Sequence, residues 1–154
     1  MNPKFGVLAR QEQIIAQVGW MVQGVFPRDG DHGPHFSYSI GLHDKGVPEL
    51  IIMGLPMQVA GPLINAVAVS LLEAKEKGES YNTTFTHPAW PMPFALFEVP
   101  AHKASDYATM AHNRSNGQAK YIQIVWPDKQ NRFPWHPDAE QSYRDAQLML
   151  GHLH

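Results

Sequence analysis

Residues 35–56 read HFSYSIGLHDKGVPELIIMGLP, and the hydrophobic pattern changes halfway along. Phe36, Tyr38, Ile40 and Leu42 alternate with His35, Ser37, Ser39 and Gly41. This period of two predicts a strand with an apolar row facing the core and a small polar row facing away from it. Leu50, Ile51, Ile52 and Met53 are apolar without alternation and lie between Pro48 and the break at Gly54-Leu55-Pro56. Such a run predicts a strand covered on both sides.

The other elements follow from similar patterns. Leu8, Ile15 and Val18 share one side of an amphipathic helix over residues 5–18, which Gly19 ends in the left-handed position after the last turn. Residues 20–26 form a strand closed by Pro27, and the turn-rich loop 28–34 leads into the strand after it. With the return at residues 43–48, these three strands make an antiparallel meander. Leu63, Ile64, Val67, Leu71 and Ala74 recur at helical spacing. They mark the main core helix, with its start placed near Gly61 or Pro62 and its stop at Gly78. Residues 81–85 suggest a short strand, while the prolines of HPAWPMP (87–93) read as a loop, since proline cannot serve a central ladder. Further strands are expected at 94–99 and 121–126, a weak helix at 105–112 and a terminal helix at 138–150.

These elements define an α+β fold, an antiparallel sheet of about five or six strands. The 62–77 helix packs on its apolar face, and the other face is partly open. Residues 1–154 form a single domain, since neither a repeat nor a linker divides them. Three antiparallel strands followed by a core helix are also the layout of split-barrel flavin-binding proteins.

Composition narrows the chemistry. The 14 acidic and 12 basic residues are scattered, so no broad positive field exists to hold nucleic acid or an anionic membrane. The absence of cysteine removes disulfides, thiolate metal sites and cysteine nucleophiles, and fits a reducing cytoplasm. The amino terminus has charges and amides where a signal peptide needs an apolar run, and no apolar segment approaches a membrane span. Charged residues are only 17% of the chain, which leaves room for an exposed apolar patch and a homo-oligomer.

Three segments stand out: Gly19-Trp20 with Val22-Gln23, then Phe36-Ser37-Tyr38-Ser39-Ile40-Gly41-Leu42 with Pro48-Glu49-Leu50 and Gly54-Leu55-Pro56, and finally Gln123 to Asp128 with Arg132-Phe133-Pro134-Trp135. Together they resemble the bacterial Domain of Unknown Function 4262 family. The resemblance implies no activity. Members tend to carry glycine where this chain has Asn131 and an acidic residue where it has His136.

His32, His35 and His43 flank the first polar-faced strand, and imidazole is a common metal ligand. A strand separates His43 from the other two and no HExxH pair is present, so solvated loop histidines are the leading reading and no metal is assigned. Ser37 and Ser39 lack the GxSxG elbow of a serine nucleophile. Their hydroxyls and Gly41 suit close approach of a helix or of a flat or phosphorylated ligand. Glu49 opens a buried strand and must be paired or solvated, with Arg28, Lys45 or Arg132 as the partner. Trp20, Trp126, Trp135, Gln23 and Gln123 form a second candidate set, for which core packing is the competing reading. Arg132 and Asp128 share a turn and suit either a salt bridge or anion recognition. The expected ligand-binding residues are therefore His35, Ser37, Ser39, Glu49, Gln123, Arg132 and Trp135, with no cofactor assigned. The leading expectation is a cytoplasmic binding module for a small polar ligand or a protein partner. The rivals are a flavin-dependent split-barrel-like oxidoreductase and a metal-dependent enzyme using the histidine loop.

Overall fold

A computed structural model describes residues 3–27 and 35–151. Helix α1 (Pro3–Val18) stops where Gly19 takes a φ of 110° and its N–H donates to the Ile15 carbonyl. Strands β1 (Met21–Val25), β2 (Phe36–Ile40) and β3 (Glu49–Met53) then form the expected antiparallel meander. A 3-10 turn (Leu42–Lys45) between Gly41 and Gly46 joins β2 to β3. Helix α2 (Met57–Glu76) and the hairpin β4 (Thr84–His87) and β5 (Trp90–Val99) follow. The chain continues through α3 (Ala101–Ala104), α4 (Thr109–Arg114), β6 (Tyr121–Val125) and α5 (Gln141–Ala146).

The fold is α+β, with a six-stranded sheet of order β1-β2-β3-β6-β5-β4. Two features depart from the expectation. The sheet is mixed, because β6 enters beside β3 in the same direction, with Ile51 opposite Gln123, while every other pair is antiparallel. It is also open, with β1 and β4 as edges, so it does not close in the manner of a barrel.

A second correction concerns the faces. Tyr38 and Ile40 are buried as expected, but Ser37 and Ser39 are buried as deeply. Helix α2 covers the serine face, packing Leu63, Ile64, Val67 and Leu71 against Leu50, Ile52, Ile122 and Ile124. Small residues make this approach feasible: Gly24 lies opposite Ser37, whose hydroxyl meets the Met57 thioether at the start of α2, and a Cβ at Gly24 would crowd the same sulfur at 3.1 Å. The Tyr38 row faces a different layer, where Ile15 of α1 and Ala104, Ala108 and Ala111 around α3 and α4 close over Ile40, Ile51, Met53 and Tyr121. The serine face, expected to be partly open, is thus the one that α2 covers, and the Tyr38 face lies under a second layer. Burial on both sides explains the unbroken apolar character of β3.

Helix α2 begins at Met57 and runs through Pro62. Pro62 is exposed, so the carbonyl its ring displaces can turn to water, which is how the helix tolerates it. Because it runs through this proline, α2 reaches 20 residues and is long and apolar enough to cross a membrane by length and composition, contrary to the expectation. In this fold it is the core helix.

The HPAWPMP segment is a hairpin rather than a loop. Pro88-Ala89 makes the turn, and β5 carries Pro91 and Pro93. The ladder to β6 starts only at Ala95 opposite Val125, so both prolines lie where β5 has β4 for a neighbour and, among the described residues, no strand on its other side. At the other end of the chain, the terminal helix is reduced to Gln141–Ala146.

Candidate functional site

Glu49 is 1% exposed, and among the described residues no cation pairs with it. One carboxylate oxygen accepts the Ser39 hydroxyl (2.8 Å) and the Leu42 N–H (3.0 Å). The other accepts the N–H groups of Gly41 (2.9 Å) and His43 (3.4 Å). Gly41 makes this possible by adopting a φ of 113°, which lines up three successive amides at the start of the 3-10 turn. Burial raises the Glu49 carboxyl above the ordinary glutamate range, and its hydrogen-bond donors offset only part of that rise. Tyr121, opposite Glu49 in the β3–β6 pair, is pushed up to about 12 by burial and then by the Glu49 charge and Tyr38. This cluster is electrostatically unusual, yet it is closed to solvent and its acceptors are occupied.

Among the expected site residues, the structure joins only Ser39 and Glu49. Ser37 meets Met57 at the other end of β2 (3.4 Å). His35 is exposed and stands edge-on to Phe26. His32 and Arg28 lie outside the described residues, and His43 is on the 3-10 turn, at the opposite end of β2 from His35. Among the described residues no three His, Asp or Glu side chains converge as a metal set. Gln123 is fully buried and anchors the chain after α5, donating to the Leu148 carbonyl (2.8 Å) and accepting the Leu150 N–H (3.0 Å). Arg132 is bound to Asp128 (3.0 Å) and Gln130 (3.1 Å). The partners proposed for Glu49 are therefore replaced, as far as the described residues go, by backbone amides and a serine.

A larger accessible concavity lies elsewhere. The β4–β5 ladder ends at Thr84 opposite Ala95, with one further bond from Leu96 N–H to the Thr83 carbonyl, whereas β5 continues along β6 as far as Val99. Beside this singly paired stretch is a cleft of about 880 Å³. Phe97, Phe133 and Trp135 supply its aromatic wall, and Glu79, Tyr81 and Glu98 supply polar groups. Phe133 and Trp135 stack with ring centroids 5.1 Å apart, and Trp135 lies 6.0 Å from Phe97. Even so, Trp135 remains 40% exposed and Tyr81 37%.

The aromatic wall is held from two sides. Asp128 accepts the N–H groups of Gln130 (2.9 Å) and Arg132 (2.8 Å), and Asn131 takes a φ of 61° in the same turn. Asparagine tolerates this left-handed conformation better than most residues that carry a side chain. From α5, the Arg144 guanidinium donates to the carbonyls of Pro134 (3.1 Å) and His136 (2.6 Å), which fixes the loop bearing Trp135. Burial, and after it the Glu98 charge, raises the Tyr81 hydroxyl above the ordinary tyrosine range. The Glu98 carboxylate is thus felt inside the cleft.

Of this cleft, the sequence pointed only to Trp135. Glu79, Tyr81 and Glu98 stand in a polar stretch and at an exposed strand position, where no spacing marks them. Phe133-Pro134-Trp135 carried the one available signal, two aromatics fixed by a proline after a tight turn. In comparisons with known proteins, the family model described as Domain of unknown function (DUF4262) matches residues 14–140. No curated protein and no solved structure matches the chain.

Proposed function

The chain belongs to the DUF4262 family, and we propose from its own geometry that it is a binding module that holds a small polar ligand in the cleft between Tyr81, Glu98 and the Phe133–Trp135 wall. The observation that carries this reading is the cleft itself. Its volume of about 880 Å³ falls within the usual range for ligand sites, roughly 300–1,000 Å³. Its wall combines a large apolar surface with a few polar groups, and Asp128 and Arg144 hold that wall in place before any ligand arrives. The buried Glu49 supports the fold instead, since its four donors all come from the protein.

The test is a fragment screen followed by NMR of the tryptophan indole N–H signals, assigned with W135F. Fragments that bind the cleft should shift the Trp135 signal. They should leave Trp126 unmoved, because its indole N–H is tied to the Met53 carbonyl at 2.8 Å. W135A should abolish the binding while the circular dichroism spectrum keeps its wild-type shape. A screen in which no fragment moves the Trp135 signal rejects the reading. Absorbance in the flavin region, or one metal ion per purified chain, would favour the enzyme alternatives.

A further inference from the structure

Resting on that reading, we propose that the cleft takes an organic cation, with its positive group beside Glu79 and Glu98 and its flat or alkylated part against Trp135 and Phe133. The first argument is charge. Glu79 and Glu98 are the only charged residues among those lining the cleft, and neither takes part in the ion pairs found among the described residues. Two carboxylates at an apolar wall create a negative field that repels an anion and concentrates a cation. One basic group, Lys120, lines a smaller adjoining hollow of about 290 Å³ with Tyr81 and Glu98, and it makes no ion pair with Glu98.

The second argument is the wall. The stacked Phe133–Trp135 pair presents an indole that is still partly exposed, and the negative face of an indole is the best aromatic surface for a cation. Carboxylates and aromatic rings therefore favour the same sign of ligand. A neutral ligand would use only the stacking, and an anion would gain neither.

The test compares three probes that share one ring: phenyltrimethylammonium, neutral N,N-dimethylaniline and benzenesulfonate. Each is titrated calorimetrically into the full chain, with the Trp135 indole signal as the reporter of location. The cation should bind at least about tenfold more tightly than the neutral probe, and benzenesulfonate should bind weakest. The double variant E79Q/E98Q changes two exposed side chains. It should cost the cation about tenfold and leave the neutral probe unchanged, with the circular dichroism spectrum intact. Raising salt from about 50 to about 500 mM should weaken the cation alone.

Equal binding of the neutral probe, or tighter binding of benzenesulfonate, overturns the inference, while loss of that binding in W135A leaves the cleft reading standing. If no probe binds but the fragment screen still maps to Trp135, the inference alone falls. If neither experiment finds binding at Trp135, both fall together.

Discussion

The Ser39 hydroxyl donates to Glu49 and accepts the N–H of Leu50, each over 2.8 Å. The β2–β3 ladder is registered only from Phe36 opposite Met53 to Tyr38 opposite Ile51, so this side chain supplies the next link between the strands. Ser39 thus ties the strand pair to the carboxylate that caps the 3-10 turn.

Replacing Glu49 by alanine strands three backbone amides and a serine hydroxyl in a closed interior. Each unsatisfied buried group costs about 1–3 kcal/mol, and partial relaxation leaves an expected loss of about 3 kcal/mol or more. Glu49→Gln keeps the volume and one good acceptor, and should cost only about 1–2 kcal/mol. Urea unfolding at neutral pH measures both. A loss for Glu49→Ala within about 0.5 kcal/mol would show that the cap contributes nothing.

The same residue sets a pH dependence. Because the folded carboxyl lies above its ordinary value of 4.5, the folded chain holds a proton that the unfolded chain releases as pH rises past that value. The associated stability is fully present below 4.5 and is lost as pH rises through the raised folded value. Wild type should therefore lose stability relative to Glu49→Gln between pH 4.5 and neutrality. Glu12, lowered mainly by its hydrogen bond to Arg114, acts oppositely and only on the acid side of that window, and the comparison with Glu49→Gln cancels it. A difference that grows in favour of wild type with rising pH would mean that the amide donors outweigh burial.

Ile40 is buried against α1 and the Tyr38 row, in the layer away from α2. Ile40→Ala should cost about 2–5 kcal/mol, the range for truncating a buried aliphatic side chain. An unfolding midpoint that implies less than about 1 kcal/mol would place Ile40 outside the core.

Gln123→Leu keeps the burial but leaves the Leu148 carbonyl and the Leu150 N–H without their partner. The expected cost is about 1–3 kcal/mol. Hydrogen exchange should show the Leu150 amide losing protection while the amides of β6 keep theirs. Unchanged protection at Leu150 would mean that the segment after α5 is held by other contacts.

How far the sequence could be read depended on what a polar or proline residue was doing. The first meander was legible because alternation, turn residues and an apolar run all agreed on it. Its faces were not, because Ser37 and Ser39 look like solvent-facing residues, whereas here they are small residues that let α2 approach. Gln123 misled in the same way, as an amide that replaces backbone partners inside the core. Pro91 and Pro93 hid half of β5, since their missing N–H groups matter only on a side where another strand is present. The cleft was the least legible part. Glu79, Tyr81 and Glu98 come together with Trp135 only once the β4–β5 ladder has ended, and that end leaves no local pattern.

The parallel contact between β3 and β6 also divides the route to the folded state. Each antiparallel meander, β1-β2-β3 and β4-β5-β6, pairs strands that follow one another in the chain, whereas β3 and β6 meet only after α2 and the whole hairpin have been crossed. Closing that seam carries the larger loop entropy, which predicts that the meanders form first and the seam closes late. Truncations at the seam, at Ile51 or Ile122, should accordingly speed unfolding while leaving the refolding rate nearly unchanged. On that prediction, the persistence of the native state is governed by one pair of strands at the centre of the sheet.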